Sequence, residues 1–236
     1  ALTCIFYSGN YDVNLLLTKT KELVGASKIV GASMVGLFSG NELIPCGVGV
    51  ITLSGVEVKT HLVSELNSHT YECGLETGVH LAAANFSEGT VLVLPSGHRR
   101  KLPALLRGLY SALGSSFAYI GGGSSGHFNS EENYQFTEAG VSRNGLAVAI
   151  IKGLSTSAHI GHGWVPFGEP MLITRAKGNK IYEFDGQPAI EVFNRLISRT
   201  QEYDFDYLRL RYPLGIPLAD GDYLLRDLIG IEDRAL

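Results

Sequence analysis

Hydrophobic and polar positions follow one another in this chain in an order that occurs twice. An apolar run, Thr3-Cys4-Ile5-Phe6-Tyr7, ends in Ser8-Gly9. Helical periodicity follows over Tyr11 to Leu23, with Val13, Leu16, Leu17 and Leu23 on one stripe and Asn10 or Asp12 placed to cap it. A second short strand then runs into glycines, Ile29-Val30-Gly31-Ala32-Ser33-Met34-Val35-Gly36. About ninety residues later the order returns. Val91-Leu92-Val93-Leu94-Pro95 ends in Ser96-Gly97, and Arg99 to Leu113 is helical through Leu102, Leu105, Leu106, Leu109 and Leu113. Gly114 stands where a C-terminal cap belongs, and Tyr119-Ile120-Gly121-Gly122-Gly123-Ser124-Ser125-Gly126 repeats the glycine turn. Each copy next reaches an apolar strand, Gly47 to Ile51 in the first and Leu146 to Ile150 in the second.

The remaining pattern fills in between these landmarks. Pro45 to Leu53 is almost continuously apolar, which predicts a central strand buried on both faces. Ser54-Gly55 predicts a hairpin into the alternating stretch Val56 to Leu66, and Glu72 to Phe86 reads as a helix. Tyr134 to Ala139 and Leu146 to Ile151 are expected strands joined through Asn144-Gly145, followed by an alternating strand over Thr156 to Trp164. Met171 to Ala176 and Lys180 to Phe184 straddle Gly178-Asn179, a hairpin signal. Asp185 then precedes a helix with Pro188 in its first turn and Ala189, Ile190, Phe193, Leu196 and Ile197 as the buried stripe.

Two copies are too few for a solenoid. The expected fold is α+β, built from duplicated β-α-β-β units about a pseudo two-fold. Mixed sheets at the centre are covered by outer helices, in αββα-like layers. The expected domains are residues 1–200, with repeat one at 1–87 and repeat two at 90–200, and a linker with the start of a further region at 201–236. A seam between two such halves is a common place for a small ligand.

Composition narrows the function classes. With 45% hydrophobic and 18% charged residues the chain has the makings of a packed core, and no apolar run approaches the ~20 residues of a membrane helix. A net charge of −4, and no basic cluster longer than Arg99-Arg100-Lys101, disfavour nucleic acid as partner. Three cysteines, Cys4, Cys46 and Cys73, lack C-x-x-C spacing and fit a reducing compartment, which places the expected location in the cytoplasm. Glycine is in excess, 29 of 236 residues, and much of it stands at strand ends where backbones bend or approach something closely.

Candidate chemistry concentrates in a few places. Gly121, Gly123 and Gly126 spell a dinucleotide fingerprint, while Gly122, Ser124 and Gly126 spell a nucleophile elbow. Each mechanism needs a helix to open at the loop, and His127-Phe128-Asn129-Ser130 has no helical periodicity. A structural or ligand-lining glycine loop is therefore preferred, and a serine hydrolase using Ser124, with His159 or His162 as base, stays as an alternative. His159 and His162 on one strand would point to opposite faces, which argues against a shared metal site. A single imidazole suffices for haem, and His127 or His162, beside Trp164 and Phe167, are the candidates. Arg175 is open to two readings, an internal ion pair with Asp185 or Glu183, or capture of an anionic ligand. Cys73, with only His69 and His80 nearby, is expected to be an inert buried thiol.

The stretch Gly163-Trp164-Val165-Pro166-Phe167-Gly168 resembles the Gly-Trp-x-Pro-x-Gly turn of the FIST domain family. Thr174-Arg175-Ala176-Lys177-Gly178-Asn179 is similar to its Thr-x-Ala-x-Gly-Asn hairpin, and Phe184-Asp185-Gly186-Gln187-Pro188-Ala189 to its Leu-Asp-Gly-x-Pro-Ala helix start, with Phe for Leu. The resemblance covers residues 1 to 200, and Tyr212-Pro213-Leu214-Gly215-Ile216 is similar to the opening of the family's C-terminal half, most of which lies beyond these 236 residues. It implies a non-catalytic sensory domain that binds a small molecule, an amino acid or a similar small anion, for signal transduction. It also implies haem and nitric oxide sensing as an alternative, and a histidine kinase or cyclic-di-GMP enzyme as output partner. The cofactor is left unassigned, with haem open. The residues expected to line the ligand are Gly121, Gly122, Gly123, Ser124, His127, His162, Trp164 and Arg175, with no metal site unless His127 or His162 holds haem.

Overall fold

The computed structural model describes residues 1–66, 68–97, 102–126, 132–197, 205–232 and 235–236. Contacts divide the chain into two units, residues 1–160 and 161–236. Residues 90–200, read from the sequence as one repeat, straddle this division.

In the first unit the elements run β1 (Leu2–Ser8), α1 (Val13–Val24), β2 (Lys28–Ser33), β3 (Leu37–Ser39), β4 (Glu42–Ile44), β5 (Gly47–Leu53), β6 (Glu57–Val63), α2 (Thr70–Ala82), β7 (Gly89–Pro95), α3 (Leu102–Leu113), β8 (Phe117–Gly121), β9 (Tyr134–Thr137), β10 (Gly140–Arg143) and β11 (Leu146–Lys152). One sheet has the order β10-β9-β2-β1-β5 and a second the order β6-β11-β7-β8. α1 starts where the sequence places it, because the Asp12 side chain accepts from the backbone N–H groups of Asn14 at 2.9 Å and Leu15 at 3.1 Å.

Strand alternation sorts the side chains into three apolar layers. Ile5, Tyr7 and Ile29 face α1 and meet its Val13 and Leu17. Leu2, Cys4, Val30 and Ala32 face the other way and meet Leu94, Ala147, Ala149 and Ile151 of the second sheet. On the far side of that sheet Val91, Val93, Leu146, Val148 and Ile150 pack against Leu81 of α2 and Leu105 and Leu109 of α3. The layers are helix, sheet, sheet, helix, as expected. Each fully buried aliphatic side chain contributes roughly 1.5–3 kcal/mol.

The two sheets share a connection. β1 and β2 are parallel through α1, with β5 antiparallel on the far side of β1. β7 and β8 are parallel through α3, with β11 antiparallel on the far side of β7. Beyond that core β9 pairs with β2 in the first sheet, and β6 pairs with β11 in the second. Ser54-Gly55 is consequently not a hairpin turn; it carries the chain from one sheet to the other, where Val56 is buried.

Two further expectations are corrected. β5 is an edge strand, and Val48, Val50 and Ile51 on it are exposed. An apolar run cannot distinguish a strand buried on both faces from one that overhangs its neighbours. Thr156 to Trp164 forms no strand, and every residue from His159 to Pro170 is exposed. Alternation makes a strand only where a neighbouring backbone completes the ladder.

The second unit contains β12 (Ile173–Lys177), β13 (Lys180–Phe184), β14 (Gln187–Pro188), α4 (Ala189–Ile197), α5 (Phe205–Arg211), β15 (Leu214–Pro217) and β16 (Tyr223–Arg226). β12 and β13 form the hairpin signalled by Gly178-Asn179, with Gly178 at φ +64°. Ala189, Val192, Phe193 and Ile197 of α4 pack with Phe184, Leu228 and Leu236.

Candidate functional site

The glycine loop lies at the carboxyl ends of the parallel pair β7 and β8, the place where open α/β sheets carry ligands. Backbones approach so closely here that side chains are excluded. A Cβ on Gly121 (φ +150°) would stand 1.9 Å from the Val93 carbonyl oxygen, and one on Gly123 would stand 2.8 Å from Gly97 Cα. Ser124 N–H donates to Pro95 O at 2.8 Å and Gly97 N–H donates to Ser124 O at 2.9 Å, extending the parallel pairing past the strands through Ser96 and Ser124. Gly122 differs from its neighbours: a Cβ there would meet no described atom within 4 Å.

Ser124 is 0% exposed and is the hub of a buried polar network. Its Oγ lies 3.0 Å from both Pro95 O and Asn133 Oδ1, either of which can accept its proton, and the oxygen accepts from Gln135 Nε2. Gln135 Oε1 accepts from Gly145 N–H at 2.6 Å, and Asn133 Nδ2 donates to Asn144 Oδ1 at 3.0 Å. Among the described residues these partners are amides and carbonyls, and none is an imidazole or carboxylate that would withdraw the proton. Ser124 to Gly126 are not helical, and the next described element is the strand β9. The neighbouring Ser96 Oγ is buried and has no hydrogen-bond partner among the described residues.

The loop also joins the carboxyl end of β2. Ser125 N–H donates to Ser33 O at 3.0 Å, Ser33 Oγ donates to Ser125 O at 2.8 Å, and Val35 N–H donates to Ser125 Oγ at 3.1 Å. Sequence reasoning missed Ser33, Ser96, Asn133 and Gln135. The one signal was polar Gln135 and Thr137 alternating with apolar Phe136 on β9, so that polar side chains entered an interior face.

Of the other expected site residues, His127 lies outside the described residues. His162, Trp164 and Arg175 belong to the second unit. The His162 and Trp164 rings are 6.2 Å apart, edge to face. His162 Nε2–H donates to Tyr223 O at 2.9 Å, and Trp164 Nε1–H donates to Arg211 O at 3.2 Å. The exposure of His162 and of every neighbour from His159 to Pro170 is the opposite of the apolar slot haem requires, so His162 does not fit an axial ligand. Arg175 takes the internal ion pair: its Nε is 3.1 Å from Glu183 Oε1, and its guanidinium lies 5.0 Å from the centre of the Tyr182 ring. Asp185 instead accepts from Leu172 N–H at 3.0 Å.

Cysteine chemistry is quiet in the described interior. Burial pushes the Cys4 thiol up to about 11. Burial and then the Glu76 carboxylate push Cys73 up as well, consistent with an inert thiol. A groove of about 550 Å³ lies away from the glycine loop, on the outer helix layer, lined by Tyr71, Leu106, Arg107, Tyr110, Ser111 and Tyr119. Among the described residues no group of three or more His, Cys, Asp or Glu side chains gathers to hold a metal ion.

Comparison with known proteins agrees with the glycine turns and the Trp164 segment. Residues 1–187 match the FIST N domain. A curated relative, an uncharacterized protein of Methanocaldococcus jannaschii, is 24% identical over 131 residues, covering 50% of this chain and 26% of its own length. This chain thus spans about a quarter of the relative it matches. No solved structure matches it. No described helix is long and apolar enough to cross a membrane. With four-fifths of its length matched and the glycine loops seated at the carboxyl ends of both parallel pairs, the chain belongs to the FIST N domain family.

Proposed function

We propose that this protein is a non-catalytic sensory domain that binds a small molecule, an amino acid or similar small anion, at the glycine loop of its first unit, and passes the signal to an output protein in the cytoplasm. Family membership supports the sensory reading, and histidine kinases and cyclic-di-GMP enzymes are the output classes it suggests. The observation that carries the site is Gly122. It lies at the carboxyl ends of a parallel β-α-β pair, and the space beside it is open where Gly121 and Gly123 are packed tight. Backbone N–H groups in such a loop favour anions. The Ser96 hydroxyl, on the residue that bridges to Ser124, is buried and has no hydrogen-bond partner among the described residues.

Thermal-shift screening against amino acids and small carboxylates tests the reading. A ligand at a hundred times its dissociation constant adds about 2.7 kcal/mol of stability. Gly122→Leu, whose Cβ would meet no described atom within 4 Å, is expected to keep the unfolding midpoint and lose the ligand-induced shift. A screen without any stabiliser, or a shift retained in Gly122→Leu, overturns the site.

A further inference from the structure

Three phenol rings converge on the outer face of the first unit from three different elements: Tyr71 from α2, Tyr110 from α3 and Tyr119 from β8. With Leu106, Arg107 and Ser111 they enclose the groove of about 550 Å³, a volume in the range of small-molecule sites. Its origin is the helix crossing. α2 and α3 touch through backbone, because a Cβ on Gly74 would lie 2.1 Å from Leu105 O and one on Gly108 would lie 2.0 Å from Tyr71 O. Beside that crossing Tyr71, Leu106 and Tyr110 are exposed and form the walls.

Those walls are positioned. The Tyr119 hydroxyl donates to Gly114 O at 2.7 Å, and the Tyr110 and Tyr119 rings are 5.6 Å apart at 46°. The Tyr71 hydroxyl stands 3.4 Å from Ser111 Oγ, whose own proton goes to Arg107 O at 2.8 Å. The Arg107 guanidinium has no ion pair or hydrogen bond among the described residues. It is a cation at the edge of an otherwise apolar aromatic surface.

We infer that this groove binds an aromatic carboxylate, its ring laid on the tyrosine faces and its carboxylate paired with the fork of Arg107. Rings favour offset or edge contact with phenols, and a guanidinium recognises two carboxylate oxygens at once, so the two halves of the ligand match the two halves of the groove. The site is separate from the glycine loop and does not rest on it.

The test uses the full chain with 3-phenylpropionate as probe and 3-phenylpropanol and 3-cyclohexylpropionate as controls, followed by saturation-transfer NMR and tyrosine emission. Phenylpropionate is expected to bind saturably, and each control at least ten-fold more weakly. Arg107→Gln and Tyr110→Ala are each expected to weaken phenylpropionate about ten-fold while leaving the unfolding midpoint in place, since both side chains are exposed. If Tyr110→Ala does not fold, Arg107→Gln decides alone. Absence of saturable binding, equal binding of either control, or unchanged binding by Arg107→Gln overturns the proposal. So does self-association through this face that phenylpropionate does not displace.

Discussion

Gly108 of α3 stands directly against the carbonyl oxygen of Tyr71 on α2, so close that a Cβ would come within 2.0 Å of it. The contact is backbone on backbone and has no flexible side chain to give way. Gly108→Ala must therefore push the helices apart, and overpacking of this kind costs about 1–3 kcal/mol. Urea unfolding of Gly108→Ala is expected to show that loss with the slope unchanged. Gly122→Ala, which meets open space, is expected to stay near zero.

Ser124 is predicted to matter for stability and not for chemistry. Removing its hydroxyl leaves the direct bond from Gln135 Nε2 to Asn133 Oδ1 but deprives the second Gln135 N–H of its acceptor, and an unsatisfied buried polar group costs about 1–3 kcal/mol. Ser124→Ala is expected to lower the denaturation midpoint accordingly. A fluorophosphonate probe is expected to leave the native protein unlabelled, and labelling at Ser124 would contradict the buried network.

The Glu138 carboxylate links β2, β6 and the β9–β10 turn, accepting from Lys28 Nζ at 2.7 Å, Thr60 Oγ1 at 2.6 Å and Ile29 N–H at 3.1 Å. Burial works to raise its pKa, but these bonds together outweigh burial and hold it below the usual carboxylate range. A depressed folded value means the unfolded chain binds the proton more readily. The stability it contributes is thus present above pH about 4.5 and is lost as pH falls through the lower folded value. Glu138→Gln is expected to cost on the order of 1 kcal/mol near neutral pH, with the gap from the native protein closing as the medium is acidified. A gap that stays constant with pH would show that the charge is not the cause.

Val50 and Ile150 make a paired test of where the core lies. Val50 on β5 is 58% exposed and Ile150 on β11 is 1% exposed, although both stand in apolar runs. Val50→Ala is expected to cost less than about 1 kcal/mol, and Ile150→Ala about 2–5 kcal/mol. Chemical denaturation of the two variants separates them, and comparable losses would mean that β5 is covered.

The β5 case shows where sequence reasoning stops. Local signals placed the strand correctly, as they placed α1 with its Asp12 cap and the Gly178-Asn179 hairpin, because capping, turn chemistry and periodicity act between residues near in the chain. They did not show that Ser54-Gly55 leads to a different sheet, or that Thr156 to Trp164 finds no neighbour, because pairing is decided by backbones far apart in sequence. Arg175 was legible as an ion-pair candidate, and the choice of Glu183 over Asp185 followed from the antiparallel register of β12 and β13.

Ser124 marks the same division at the candidate site. Its place in a glycine-rich loop after a strand was visible in the residues alone, as were the family motifs and the helix-sheet-sheet-helix layering. The tertiary structure decided that Asn133 and Gln135 surround it, that Gly122 is the open position, and that Tyr71, Tyr110 and Tyr119 share one groove. A side chain's type and the period of its neighbours set which way it points along its own element. What it meets there depends on strand order and helix crossing, which only the packing of the whole chain determines.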